Sequence, residues 1–157
     1  MADDGTAGGS ADLAAENAAL DAALAAAHAA VWGYGVVGAA LAPEAQAAAA
    51  AAETAHRDDR DRLIALLGER SVEPVPAEGG YALPFPVLSP VDAAALAVVL
   101  EDGVAAAWVR VLDQAAQQTT RELAVAALTA AELRAVGWRA AAGQTPVTRA
   151  LPGLPEG

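Results

Sequence analysis

The sequence has no cysteine and no lysine, one phenylalanine, one isoleucine and two tyrosines. Without cysteine there is no disulfide, no thiolate nucleophile and no thiolate metal site. All nine basic residues are arginine, which excludes Schiff-base and P-loop chemistry, because both need the lysine amine. The serines Ser10, Ser71 and Ser89 fall in a tail, at a helix end and at a cap. None is a credible nucleophile for a Ser–His–Asp triad. Positive charge is scarce as well: the net charge is −11, so a phosphate backbone is repelled and nucleic acid is not an expected partner. The N-terminus lacks the basic start and leucine-rich run of a signal peptide. The stretch from Ala22 to Ala42 is long enough to span a bilayer and carries His28 as its only strongly polar side chain. It is mostly Ala and Gly, flanked by Asp21 and Glu44 with no basic anchor. It reads as the buried helix of a soluble bundle, with no membrane partner and a cytoplasmic location.

Alanine is what the sequence has instead, at about 30% of the chain. Alanine has the best helix propensity and loses no rotamer entropy on burial, so the expected class is all-α. The length of 157 residues suits one domain. Residues 1–10 read as a disordered start, with Ser10 as N-cap. A stripe of Leu13, Leu20, Leu24, Ala27, Val31, Tyr34 and Gly38 predicts helix 1 over 11–41. Pro43 suits a first helical position and predicts helix 2 over 43–69. The charge-alternating run at its end, 57–62, reads as a solvated or intersubunit face. Residues 71–90 hold five prolines and cannot be helical. They also hold Tyr81, Leu83, Phe85 and Val87, so 71–89 reads as an extended strap laid along the bundle. Ser89-Pro-Val-Asp92 marks the start of helix 3, with Leu96, Leu100, Gly103, Ala107 and Val111 expected inward. Thr119 to Glu122 fits a capping box for helix 4, ending at Gly143. The bundle thus occupies 11–143. The tail 144–157 is frayed or strapped down by Leu151 and Leu154. Two short turns flanking one long Pro-rich crossover between helices 2 and 3 match the connectivity of a ferritin-like four-helix bundle.

That connectivity raises the question of a di-metal carboxylate site. Such a site takes one Glu from each of two helices and a Glu-x-x-His from each of the other two. Carboxylates bridge two hard cations, such as iron or manganese, and offset their charge, while imidazoles complete the coordination. Helix 2 supplies Glu53 and His56, helix 3 supplies Glu101, and helix 4 supplies Glu132. Ala135 stands where helix 4 would need its histidine, and Ala27 stands at the helix 1 position, with His28 beside it. Each residue also has a plainer reading. Glu53 and His56 would be a surface pair, Glu101-Asp102 would ion-pair with Arg134 or Arg139, Glu132 would pair nearby or face solvent, and His28 would be a hydrogen-bonded core histidine. Trp32, Trp108 and Trp138 read as core residues. The glycines of Gly33-Tyr-Gly35-Val-Val-Gly38 would let another helix or a Trp come close. A small apolar ligand near Trp32, Tyr34 and Trp108 is a further expectation.

The run His28 to Gly38, the Tyr81-Ala-Leu-Pro-Phe-Pro86 strap, the Leu100 to Trp108 helix and the closing Trp138-Arg with Leu151-Pro-Gly-Leu-Pro155 resemble a ferritin-like domain family of unknown function from high-GC bacteria. The resemblance extends over nearly the whole chain from residue 11. It implies a four-helix ferritin-like fold in the cytoplasm, with no activity to carry over. Members often carry Glu-His in helix 1, where this chain has Ala27-His28. The expected function is a non-catalytic bundle acting by self-association, as a homodimer, or by partner binding. The alternative is a metal-binding protein or oxidoreductase with a degenerate site at Glu53, His56, Glu101 and Glu132, His28 being a further possible ligand.

Overall fold

The computed structural model describes residues 4–155, apart from the side chains of 4–8. The alanine-rich stretches form four helices: α1 (Asp4–Ala40), α2 (Gln46–Glu69), α3 (Pro90–Gln114) and α4 (Gln118–Ala141). A 3-10 turn, Pro43–Ala45, leads into α2. No strand occurs among the described residues. The expected disordered start at 1–10 is helical from Asp4 onward, so Ser10 caps nothing; residues 1–3 lie outside the described residues.

Buried polar pairings set the direction of each helix. At one end of the bundle, Glu16 in the first half of α1 meets Arg70 at the end of α2 and Thr120 at the start of α4. Farther up, Tyr34 of α1, His56 of α2 and Arg134 of α4 all meet Glu101 of α3. Along α1 and α4 the residue number therefore rises from the first level to the second; along α2 it falls. The short link from Gln114 to Gln118 puts the end of α3 at the first level too. Helices α2 and α3 therefore run parallel. The chain from 71 to 89 must travel back along the bundle, which explains why it is extended and long.

That segment lies along α1. The Val75 amide donates to Asp21 at 2.8 Å, its carbonyl accepts from His28 Nε2 at 3.1 Å, and Tyr81 packs on Trp32 with ring centroids 5.7 Å apart. Phe85 and Val87 then pack into the core beside the start of α3. Trp32 is thereby a surface residue at 36% exposure, not a core one, because the strap supplies its partner. Trp108 and Trp138 are buried as expected.

Two apolar clusters build the core. The first centres on Leu20, Leu24, Leu63, Leu67, Trp108 and Val111; the second on Tyr34, Val37, Leu41, Leu96 and Trp138. Between Leu96 and Trp108 the inward face of α3 carries Glu101, Val104 and Ala105, whereas Gly103 faces solvent. The inward face is thus shifted from the expected one, because a buried glutamate occupies a core position. At Gly33 the Leu100 side chain packs directly on the α1 backbone: a Cβ there would lie 2.6 Å from Leu100 Cδ1. By length and composition the Gly9–Ala40 stretch is apolar enough to cross a membrane; in the fold its Leu20, Leu24, Tyr34 and Val37 are buried.

Helix ends follow local chemistry. Ser89 accepts from the Asp92 amide at 3.1 Å while the Asp92 carboxylate accepts from Ser89 Oγ at 2.8 Å, as expected. The box expected at Thr119 is absent: α4 starts at Gln118 with Gln117 as N-cap and no side-chain cap of its own. Glu16, a hundred residues away, takes that role. Its carboxylate accepts from the Gln117 amide at 2.8 Å and from Thr120 Oγ1 at 2.5 Å. An anion at a helix N-terminus is favoured by the exposed amides and the helix dipole. The tail is held down, though not by Leu151, which is 65% exposed. Arg139 donates to the Val147 carbonyl at 3.0 Å. Gly153 at φ +78° lies where a Cβ would meet Val109 at 2.5 Å and the Ala105 carbonyl at 2.8 Å.

Three of the four seams are tightly packed, α1–α2, α1–α3 and α3–α4, whereas α2 and α4 scarcely touch. Alanines facing that fourth seam are too short to fill it.

Glu16 supplies the first test. Burial raises its pKa, but the hydrogen bond from Thr120, the Gln117 amide and Arg70 outweigh that and hold it below the usual glutamate value. A carboxylate depressed in this way stabilises the fold above its unfolded pKa of about 4.3, and that stability is lost as pH falls through the folded value. We expect Glu16→Gln to cost about 3 kcal/mol near pH 7. In urea unfolding the gap from the wild-type chain narrows below about pH 4. A gap that stays constant with pH would contradict this account.

Candidate functional site

Glu101 lies fully buried in the middle of α3, and an unpaired carboxylate there is costly by several kcal/mol. The other three helices answer that cost. Oε1 of Glu101 accepts from the Tyr34 hydroxyl at 2.5 Å, from His56 Nε2 at 2.9 Å and from Arg134 Nε at 2.9 Å. His56 is as buried as Glu101 and stacks on Tyr34 with ring centroids 5.4 Å apart. Tyr34 in turn packs against Trp138. Burial and the adjoining carboxylate push the Tyr34 phenol far up, so Tyr34 serves as a neutral donor. For Glu101, burial pushes the pKa up, while His56 and Arg134 pull it down further, leaving it below the ordinary value. Three buried atoms of this group have no partner: Glu101 Oε2, His56 Nδ1 and Arg134 Nη2. One turn beyond His56, burial raises the Asp59 carboxyl, against the pull of His56, Arg62 and Arg134.

Of the expected metal ligands, the fold brings together only His56 and Glu101. Glu53 points away and pairs with Arg57 at 2.5 Å on the surface of α2. Glu132 belongs to a separate cluster on the tail side of α4, where Arg139 bridges Glu132 at 2.7 Å and Asp102 at 2.6 Å. Arg149 reaches the same Asp102 at 3.0 Å. The Glu132 hydrogen bond, against the opposing effect of burial, and Asp102 hold Arg139 more firmly protonated than usual. His28 is occupied by the strap carbonyl. Among the described residues no group of three or more His, Asp or Glu side chains is placed to hold an ion. A two-metal site needs several carboxylates to offset its charge; here one carboxylate faces a guanidinium. The residues present do not fit that site.

The ion pairs Glu101–Arg134 and Asp102–Arg139 are those the sequence suggests. Missed altogether are Tyr34 as a ligand of Glu101 and the Glu16–Arg70–Thr120 group. Arg70 also donates to Asn17 at 2.7 Å and Gln117 at 2.8 Å. The available signal for Glu16 is its place four residues before Leu20 on the core stripe of α1. Tyr34, Trp32 and Trp108 do not converge on a common pocket: Trp32 faces the strap, Tyr34 the buried carboxylate, and Trp108 the first core cluster.

A domain of unknown function (DUF4439) matches residues 19–156. Among solved structures, the chain is similar to a conserved hypothetical protein, rv2844, from Mycobacterium tuberculosis. The two are 41% identical, with a TM-score of 0.79, over 81% of this chain and 96% of that one. No curated protein matches.

If Glu101 and Arg134 act as one unit, their substitutions will not add. We expect Arg134→Met alone to cost about 3 kcal/mol, because it strands a buried carboxylate. In the Glu101→Gln/Arg134→Met chain the loss should be smaller than the sum of the singles by more than about 1 kcal/mol. Additive losses in denaturant unfolding would contradict the pairing.

Proposed function

The chain belongs to the family of the domain of unknown function DUF4439, and on that footing we propose that it is a non-catalytic ferritin-like bundle that acts by association, as a homodimer. The observation that carries the non-catalytic reading is Arg134 Nε at 2.9 Å from Glu101. A fixed guanidinium supplies the positive charge that a metal would supply in a di-metal bundle. The parallel course of α2 and α3, with a crossover between them, supports the ferritin-like connectivity.

Support for association comes from the strap side. Trp32, Leu83 and Val99 border one shallow apolar hollow over the α1–α3 seam, together with Tyr81 and Leu100. Leu88, 86% exposed, and Val91 extend the exposed apolar residues along the strap and the start of α3. Contiguous exposed apolar surface of this kind marks interaction sites. A second copy fits it on electrostatic grounds. Two chains of net charge −11 repel one another, and that repulsion is least where the touching surface carries no charge.

The second reading is a metal-binding protein or oxidoreductase; of its expected ligands Glu53, His56, Glu101 and Glu132, only His56 and Glu101 are near enough to share an ion. One observation favours it: Glu101 Oε2 and His56 Nδ1 are buried without partners.

Two measurements separate these readings. Sedimentation equilibrium should give a dimer, and Leu88→Asp/Val99→Asp should weaken it at least tenfold with the helical circular-dichroism spectrum unchanged; a monomer in the wild-type chain contradicts the association. Anaerobic loading with Fe(II) or Mn(II), followed by mass-spectrometric metal analysis, should leave less than one equivalent bound. One or two equivalents, lost in His56→Ala, would establish the second reading instead.

A further inference from the structure

The seam between α2 and α4, opposite the strap, is open as a groove of about 590 Å³, within the range of small-molecule sites. Its walls are apolar: Ala48 and Ala55 on α2, and Leu133, Gly137 and Trp138 on α4. Leu133 is 71% exposed and forms the rim, while the buried Trp138 forms the inner wall. One charged side chain lines this groove, Arg134.

Arg134 is anchored rather than saturated. A guanidinium has five N–H donors, and here only Nε–H has a hydrogen-bond acceptor among the described residues. Nη2 is buried without a partner. Directly behind it, two fully buried side chains also carry unpartnered atoms, Glu101 Oε2 and His56 Nδ1. Anchoring through Nε holds the guanidinium plane still, and Nη1, which unlike Nη2 is not sealed off, is left for an acceptor arriving through the groove. An anionic oxygen acceptor suits that donor best, since a hydrogen bond from a guanidinium to a carboxylate is charge-assisted. The remainder of such a ligand would lie along alanine, glycine, leucine and tryptophan surfaces, which give no hydrogen bonds and reward apolar area.

We propose that the α2–α4 groove binds a medium-chain aliphatic monocarboxylate, its carboxylate on Nη1 of Arg134 and its chain along the Ala48–Ala55 and Gly137–Trp138 walls. The site lies across the bundle from the strap face, so it goes beyond the association reading and stands or falls separately from it.

The test is titration of the full-length chain with decanoate, decanol and decylamine below their aggregation limits, followed by calorimetry and by the indole N–H resonance of Trp138. Decanoate should bind at least tenfold more tightly than decanol, and decylamine should not bind. Gly137→Leu is the main variant, because a Cβ at Gly137 meets nothing within 4 Å. It projects into the groove one turn from Arg134, and should weaken decanoate at least tenfold while leaving the helical circular-dichroism spectrum and the dimer unchanged. Arg134→Lys, which keeps the charge against Glu101, should erase most of the preference for decanoate over decanol. Equal binding of decanoate and decanol to the wild-type chain would overturn the role of Arg134. So would tighter binding of decylamine, which would give the site to Glu101 and Asp59. Undiminished binding to Gly137→Leu, or no binding of decanoate at all, would remove the groove as its site.

Discussion

A carboxylate at the centre of an alanine-rich bundle is the constraint to which the rest of this structure responds. Glu101 occupies a core position on α3 with no water to solvate it, so its charge must be met by donors from other helices. Tyr34, His56 and Arg134 meet it from α1, α2 and α4. That convergence does more than offset a desolvation cost. Small side chains alone pack with little preference among sliding registers, because one alanine surface resembles another. Three donors that must reach one oxygen remove that freedom and lock the four helices at a common level. The two apolar clusters lie on either side of this layer, and the close approach of Gly33 to Leu100 lies one residue away on both helices.

The same logic recurs at the bundle's end and on its tail side. Glu16 takes the α4 N-terminus and Arg70 together, tying the first half of α1 to the end of α2. Arg139 gathers Asp102, Glu132 and the Val147 carbonyl, which brings the C-terminal tail against the bundle. In each case a buried charge is matched by its opposite and by further hydrogen bonds, so that a chain of net charge −11 carries its core charges in near-neutral groups. Specification of one register by polar contacts, where apolar contacts are too uniform to do it, is the best-attested use of such groups.

The fold was largely legible because its determinants are local. Alanine content, the Ser89–Asp92 cap and the prolines between 71 and 90 act within a few residues, and they place the end of α2 and the start of α3 close to the observed ones. The site was legible only in pairs. Glu101 with Arg134, and Asp102 with Arg139, follow from two neighbouring helices facing each other. Tyr34 and Glu16 were not legible as ligands, since each depends on a residue 67 or more positions away and on a rotation about the helix axis. The Glu53–His56 spacing suggested a shared face, yet His56 points inward and Glu53 lies at the edge with Arg57. Three residues span 300° of a helix, enough to put one side chain in the core and the other at its border. The Thr119 cap failed for a related reason: a distant carboxylate took the Gln117 amide and the Thr120 hydroxyl instead.

The central claim is that Glu101 is an ionised carboxylate held by protein donors in the chain as it folds without metal. Its most direct test is a carbon-13 NMR titration of the Glu101 side-chain carboxyl in metal-free protein, with Arg134 Nε–H observed alongside. The account predicts a carboxyl that stays ionised below the ordinary glutamate range, where its pKa is held, and an Arg134 Nε–H protected from exchange until the carboxyl titrates. A carboxyl that titrates at or above that range, with Arg134 Nε–H exchanging freely, would contradict it.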